Sequence, residues 1–234
     1  MISDDLGNIA SRLEEVRRRI ARAAARAGRA PEEIRLIAVS KGKPAEAIRA
    51  AYTAGQRDFG ENYVQELAEK AEALADLDGL VWHAIGHLQR NKAKVVARVA
   101  QVVQSVDREE IVVELDRRAA ALARTLDVLL EVNVGGEATK SGCAPGDLGP
   151  LLAAVARCAH LRPVGLMTIA PFREDPADVR PFFAQLRALR DAHGGQAALP
   201  ALSMGMSHDL EAAIAEGATL VRVGTAIFGA RDPR

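Results

Sequence analysis

The chain has 234 residues, of which 49% are hydrophobic and 26% charged, as expected for a globular protein with a substantial core. Lys plus Arg and Asp plus Glu number 31 each, so the formal net charge is +0 and the basic surplus typical of nucleic acid-binding proteins is absent. Aromatic residues make up 3%, which argues against a surface that stacks single-stranded bases.

The sequence shows no feature of export or membrane insertion. Its N-terminus, "MISDDLGNIA", carries acidic residues and lacks the apolar segment of a secretory signal. No stretch reaches the roughly 18 uninterrupted apolar residues of a membrane span. Cys143 and Cys158 match no metal-ligand spacing and form no disulfide framework. These features predict a cytoplasmic protein with no membrane partner and with two inert cysteines.

The first predicted element is a long N-terminal helix within residues 1–30. Apolar side chains recur at three- and four-residue steps at Leu6, Ile9, Leu13, Val16, Ile20 and Ala24. Gly28 is a typical residue to end this helix. Arginines interleaved with glutamates occupy the other faces, which is the pattern of a solvated surface. A nucleic acid-binding patch is the alternative interpretation.

From residue 34 onwards, short apolar runs alternate with helical patterns. The predicted strands span residues 34–40, 58–61, 81–86, 102–106, 128–134, 164–169, 201–204 and 220–223. Near-continuous apolar strands are typical of a parallel sheet that is buried on both faces and connected by helices.

Eight strand-helix units in this length predict an α/β fold, a single (β/α)8 TIM barrel domain over residues 1–234 with the extra N-terminal helix. A doubly wound open sheet is the alternative. The segment after its first strand, "SKGKPAE", is not the Gly-rich dinucleotide fingerprint of that fold.

The active sites of TIM barrels form at the carboxyl ends of the strands. Lys41 stands there, after the apolar run "IRLIAVS". A buried amine has a lowered pKa and becomes a nucleophile that forms Schiff bases with carbonyl groups. A lysine that extends its amine to solvent is the alternative. Other polar residues at predicted strand ends are Glu61, Asn62, Tyr63, His83, His87, Asn133, Thr168, Ser203 and Arg222.

The turns after the last two strands, "SMGMS" and "GTAIFG", combine glycine with hydroxyl side chains. Backbone N–H groups at a helix start attract phosphate, and TIM barrels often bind phosphate after strands seven and eight. Tight turns without a ligand are the alternative. A lysine opposite a phosphate site suggests a phosphorylated aldehyde, either a sugar phosphate or pyridoxal 5′-phosphate. Arg222, otherwise a rim ion pair, would keep a pyridine nitrogen unprotonated.

Six segments of the sequence together resemble the pyridoxal phosphate homeostasis proteins, single-domain relatives of the alanine racemase barrel. They are "AVSKGKPAEAI", "FGENYVQE", "WHAIGHLQRNK", "EVNVGGEATKSG", "LSMGMSHDLEAAIAEG" and "VRVGTAIFG", and the resemblance runs from about Ile34 to Arg231. Gly42 departs from the pattern, because the family usually has a threonine after its Schiff-base lysine. The glycine predicts a looser segment beside Lys41.

The resemblance implies a role for each cofactor-binding residue. It implies that Lys41 binds pyridoxal 5′-phosphate as a Schiff base, that Asn62 lies beside the ring and that Arg222 faces the pyridine nitrogen. The phosphate ligands that it implies are Ser203, Gly224 and Thr225, with Met204 and Ser207 lining the same turn. It assigns neither a catalytic residue nor a metal site.

Three functions follow from this interpretation. The first is a non-catalytic carrier that buffers pyridoxal phosphate and delivers it to apoenzymes that depend on it. The second is an amino acid racemase, which needs a base on each face of the bound substrate. In two-domain racemases a second domain supplies the opposite tyrosine, whereas this sequence ends at Arg234, which favours the carrier and a monomer. The third is a Schiff-base aldolase or sugar phosphate isomerase, with Glu61 as base.

The histidine pair and a second lysine are interpreted as structural residues rather than as functional ones. His83 and His87 are four residues apart but lie in a predicted strand and turn, where that spacing does not form a metal site. His87, with Gln89 and Asn91, is expected to line the barrel rim or the edge of the cofactor. Lys140 in "TKSG" is interpreted as a solvated loop lysine, with a temporary cofactor acceptor as the alternative.

Overall fold

A computed structural model describes residues 8–230 of the chain, and in this part eight parallel strands form a closed barrel. Each strand pairs with the next along the chain, and β8 pairs with β1. The strands are β1 Arg35–Val39, β2 Asp58–Glu61, β3 Val81–Ala84, β4 Val102–Val106, β5 Leu126–Glu131, β6 Leu161–Met167, β7 Ala201–Ser203 and β8 Leu220–Val223.

Helices connect the strands and form the outer layer. They are α1 Ile9–Arg26, α2 Ala45–Thr53, α3 Val64–Ala73, α4 Ala93–Val99, α5 Glu109–Ala120, α6 Leu148–Ala156, α7 Arg180–Ala192, α8 Gly195–Ala198, α9 Leu210–Ala215 and α10 Thr225–Phe228. The prediction of a (β/α)8 barrel with an additional N-terminal helix is therefore confirmed, and the doubly wound open sheet is wrong.

The N-terminal helix completes the ring of helices around the barrel. The helix after β8, α10, has only four residues, and α1 packs against it and against α2 and α9. The buried side chains of α1, such as Leu13 and Val16, belong to the main hydrophobic core. Beyond its end, Gly28 adopts a φ of +68°, and the N–H of Arg29 closes back on the carbonyl of Ala24. The predicted Leu6 contact lies outside the described residues.

Strand bounds agree with the sequence prediction for β2, β4 and β8. β1, β3 and β7 are one or two residues shorter than predicted, and β5 and β6 differ at both ends. Both of these strands begin earlier than predicted, because an exposed ion pair between Asp127 and Arg162 extends their ladder at the amino end. β5 also ends earlier, because after Glu131 the backbone turns and Val132 forms a bridge with Cys143. β6 ends at Met167, two residues before the predicted end. Beyond the end of β5 the apolar residues in the sequence indicate burial and not strand pairing.

The barrel interior contains both a small apolar layer and a set of buried polar side chains. A small hydrophobic layer inside the barrel contains Ile37, Val102, Leu129, Met167 and Leu220. Buried polar side chains on the strands include Asp58, His83, Gln104, Ser203 and Arg222. Across residues 8–230, no helix is long and apolar enough to cross a bilayer.

Candidate functional site

The predicted site residues stand on four consecutive strands of the closed barrel. Lys41 follows β1, Asn62 follows β2, Ser207 and Thr225 follow β7 and β8, and Arg222 lies within β8. Because β8 pairs with β1, these strand ends form one continuous arc at the barrel mouth. Barrel closure thus brings together residues from both ends of the sequence.

Lys41 lies in a tight turn that is tied down at several points. The N–H of Lys43 donates to the carbonyl of Ser40 at 3.0 Å, and Gly42 has a φ of +69°, as the third position of a type II turn requires. The N–H of Gly42 also donates to Glu66 at 2.7 Å. The expectation of a loose segment is therefore wrong. The expectation of a fully buried Lys41 is also wrong, because this residue is half-buried.

A buried ion cluster braces the Lys41 turn from α3. Lys70 donates to the carbonyl of Ser40 at 2.8 Å, to Glu61 at 2.6 Å and to Glu66 at 3.0 Å. The hydroxyl of Ser40 donates to the same Glu61 oxygen at 2.7 Å. Burial raises the pKa of Glu61, although Lys70 and Ser40 oppose this. Sequence reasoning missed Lys70, which reads as an ordinary helix-surface residue.

Asn62 presents an unsatisfied oxygen at the mouth. Its Oδ1 is buried and has no hydrogen-bond partner among the described residues. Asn62 lines a cleft of about 340 Å³ together with Tyr63, His87 and Gln89. Gly86 permits this arrangement, because a Cβ there would lie 2.2 Å from the Asn62 carbonyl oxygen. The neighbouring Tyr63 is 56% exposed.

The two predicted phosphate turns lie side by side. The hydroxyl of Thr225 donates to that of Ser207 at 3.2 Å. Gly224 approaches β1 closely, because a Cβ on it would lie 3.2 Å from the carbonyl oxygen of Val39. The hydroxyl pair therefore stands next to the strand that leads into Lys41.

Two of the predicted phosphate contacts point elsewhere. Ser203 is completely buried, and its hydroxyl donates to Gln104 at 2.6 Å and accepts from Arg222 at 2.5 Å. Met204 is also completely buried and belongs to the main hydrophobic core. The expectation that both side chains line the phosphate turn is wrong, because β7 directs them into the barrel wall and interior.

Arg222 is buried beside the mouth, where its guanidinium also donates to the carbonyl of Thr168 at 2.8 Å. Burial lowers the pKa of Arg222 to about 10, although Glu131 and Asp209 oppose the shift. Both carboxylates act on the guanidinium through space.

Glu131 is a buried carboxyl at the end of β5 that sequence reasoning missed. Burial raises its pKa to about 7, the charge of Asp107 adds to this, and Arg222 opposes it. Its Oε2 has no hydrogen-bond partner among the described residues. The sequence contains a sign of this residue, because a glutamate interrupts the otherwise apolar run "VLLEV".

The two histidines proposed as metal candidates serve different partners. His83 lies between Asp58 and Gln104, at 2.9 Å from each. The Nδ1 of His87 contacts the hydroxyl of Ser141 at 3.0 Å. Within residues 8–230, no group of three or more His, Cys, Asp or Glu side chains is arranged to hold a metal ion.

The remaining candidates support the loop after β5. Asn133 donates to the carbonyl of Glu137 at 2.9 Å, and Lys140 pairs with the carboxylate of Glu137 at 2.5 Å. Lys140 also donates to the carbonyl of Ala170 at 3.0 Å, so it is less solvated than the sequence suggested. Burial raises the pKa of Cys143 to about 12, which leaves its thiol protonated and unreactive at neutral pH.

Comparison with known proteins agrees with this geometry. Residues 11–232 match the family model of the alanine racemase N-terminal domain. The pyridoxal phosphate homeostasis protein of Pseudomonas aeruginosa is 51% identical over 228 residues, which cover 97% of each chain. That of Aquifex aeolicus is 48% identical over 226 residues, covering 96% of this chain and 99% of the relative. The chain belongs to the pyridoxal phosphate homeostasis protein family.

A solved structure extends the likeness to three dimensions. PipY of Synechococcus elongatus, in its structure with PLP bound, has a TM-score of 0.82 and 40% sequence identity to this chain. The match covers 94% of this chain and 100% of PipY. The family relationship therefore spans the whole barrel and not only the site motifs.

The ion cluster predicts a coupled loss of stability. Lys70→Met should lower the free energy of unfolding by about 3–5 kcal/mol, because it leaves Glu61 buried without its counter-ion. The double variant Lys70→Met/Glu61→Gln should recover much of this loss, since no buried charge remains. Denaturant unfolding of the three proteins measures both values. A double variant that is less stable than the single one would contradict the assignment.

Glu131 predicts a pH-dependent difference in stability. Its folded pKa lies above its ordinary value of 4.5, so its stabilising contribution is complete below pH 4.5 and is lost as the pH rises through about 7. Compared with wild type, Glu131→Gln should be similarly stable at pH 4. At pH 8 it should be more stable by at most about 3 kcal/mol. Unfolding curves at the two pH values test this, and equal differences at both would refute it.

Proposed function

We propose that this chain binds pyridoxal 5′-phosphate as a Schiff base on Lys41 and acts in its homeostasis, with little or no catalytic turnover. The observation that carries the proposal is the arc of Lys41, Asn62, Arg222 and the Ser207–Thr225 hydroxyl pair at one barrel mouth. It is supported by 40% identity to PipY, whose structure has PLP bound.

The residues at the mouth fit the functional groups of this cofactor. The amine of Lys41 can condense with the aldehyde carbon, forming a C=N bond and releasing water. The braced turn fixes the backbone position from which that amine extends. The buried Oδ1 of Asn62, which has no partner among the described residues, would accept a hydrogen bond from a polar group on the ring.

We assign the phosphate to the paired turns after β7 and β8. Ser207 and Thr225 supply hydroxyl groups, and Gly224 allows the backbone to approach closely. Met204 supports this turn from the core. Ser203 is assigned a different role from the one the sequence suggested, because its hydroxyl is engaged by Arg222 and Gln104.

Arg222 favours a carrier over an enzyme. The cofactor is a strong electron sink when its pyridine nitrogen is protonated. A guanidinium facing that nitrogen keeps it unprotonated and weakens carbanion stabilisation, which racemisation requires. The aldolase alternative is also disfavoured, because its candidate base, Glu61, is bound by Lys70 and Ser40. The proposal includes delivery of the cofactor to apoenzymes in the cytoplasm by a monomer. The half-buried position of Lys41 supports delivery, because it leaves the site accessible.

Cofactor binding is tested with the purified protein. Added pyridoxal 5′-phosphate should produce a visible absorption band, and borohydride reduction should fix a pyridoxyl group on the peptide that contains Lys41. Lys41→Ala should abolish both, because it removes the amine to which the proposal assigns the imine. Lys43→Ala is the matched control, since Lys43 donates to the carbonyl of Ala230 and should not be needed. Labelling of another lysine in the wild type would disprove the assignment.

Turnover is tested separately with the loaded protein. It is incubated with single L-amino acids in deuterium oxide, and α-proton exchange is followed by NMR. Exchange should not proceed beyond the stoichiometric amount of protein, because the unprotonated ring stabilises a carbanion poorly. Many turnovers per minute would establish an enzyme and reject the carrier.

A further inference from the structure

A line of buried polar side chains crosses the barrel interior below the mouth. We call it the polar chain, and it consists of Arg222, Ser203, Gln104, His83 and Asp58. Arg222 NH1 lies 2.5 Å from Ser203 Oγ, which lies 2.6 Å from Gln104 Oε1. Gln104 Nε2 lies 2.9 Å from His83 Nδ1, and His83 Nε2 lies 2.9 Å from Asp58 Oδ1. The members come from five different strands.

The two ends of the polar chain fix the direction of every hydrogen bond in it. A guanidinium can only donate and an ionised carboxylate can only accept. Ser203 accepts from Arg222 and so gives its one proton to the oxygen of Gln104. The amide nitrogen then faces His83 Nδ1, which must be unprotonated, and the ring proton lies on Nε2. The order of donation runs from Arg222 to Asp58.

The charges around His83 agree with this direction. Burial lowers the pKa of His83, against the opposing effect of Asp58, so the ring is neutral near pH 7. Burial raises the pKa of Asp58, but hydrogen bonds from His83 and Arg35 outweigh this and hold it below its usual range. Arg35 pairs with the same Asp58 oxygen at 2.7 Å. Asp58 therefore stays ionised and accepts the ring proton.

We propose that Gln104, His83 and Asp58 are positioning residues that hold the guanidinium of Arg222 in one orientation towards the cofactor ring. The inference rests on the proposed function. Turning the amide of Gln104 would place its nitrogen against Ser203, which already accepts from Arg222, and its oxygen against the lone pair of His83. Because such a change would leave buried polar groups unsatisfied, which is costly, the polar chain resists it.

The first test needs no cofactor. In the apoprotein, nitrogen-15 NMR should show His83 as the neutral tautomer with its proton on Nε2. Ser203 does not contact His83 directly. Ser203→Ala should nevertheless change the His83 ring signals, because it frees the Gln104 amide to turn. Ser207→Ala is the control and should leave them unchanged, since Ser207 lies outside the polar chain. A proton on His83 Nδ1, or His83 signals that are unchanged in Ser203→Ala, would overturn the proposed order of hydrogen bonds in the polar chain.

The second test uses the loaded protein and two buried glutamines. Gln104→Leu should still load Lys41, but its visible absorption maximum should shift and release of the cofactor should become about tenfold faster, as loss of about 1.4 kcal/mol implies. Gln56→Leu is the matched control. Gln56 donates to the backbone carbonyls of Leu36 and Asp58, at 2.7 and 2.8 Å. That variant should keep the wild-type spectrum.

The outcomes separate the two proposals. Identical spectra and release rates for the two leucine variants would overturn the positioning role. A wild type that takes up no pyridoxal 5′-phosphate would overturn the proposed function and with it the positioning of a cofactor. The NMR result on the apoprotein would then still decide whether the polar chain runs from Arg222 to Asp58.

Discussion

The pairing of β8 with β1 is the constraint on which the site depends. Ile37 of β1 stands opposite Arg222 of β8, so closure of the barrel brings Lys41 next to a residue from the far end of the sequence. Gly224 marks this seam, where a Cβ would lie only 3.2 Å from the carbonyl oxygen of Val39. The N-terminal helix covers the same seam from outside. Burial of that helix therefore protects the closure that creates the mouth.

The site contains buried charges, and the structure stabilises them in two ways. Lys70 and Glu61 neutralise each other directly and share partners on the Lys41 turn. Arg222 instead donates to neutral oxygens, with Glu131 acting through space. A buried pair contributes little net stability but is costly to break. Both arrangements therefore fix geometry more than they add stability, which suits a site that must place one amine and one guanidinium.

The sequence predicted the barrel and much of the mouth because both depend on local patterns. Apolar runs locate strands, and polar residues at their ends locate Lys41, Asn62 and Arg222. Gln104 and Lys70 could not be found in this way, because their partners lie on other strands and depend on register. Ser203 was misplaced for a related reason. It is the last residue of β7, where side chains alternate between faces, and one position decides whether a hydroxyl reaches the turn or the interior.

Under the proposed function, the same features would favour holding the cofactor over using it in catalysis. Catalysis on pyridoxal phosphate needs a ring that withdraws electrons and bases on both faces of the substrate. Under the proposed function, Arg222, which is anchored through Ser203 to the barrel interior, would face the pyridine nitrogen and resist its protonation. Lys41 is rigidly placed by its braced turn yet only half-buried, so its imine would be firmly located and still open to water or to an incoming amine. Retention with the possibility of release is what a carrier requires.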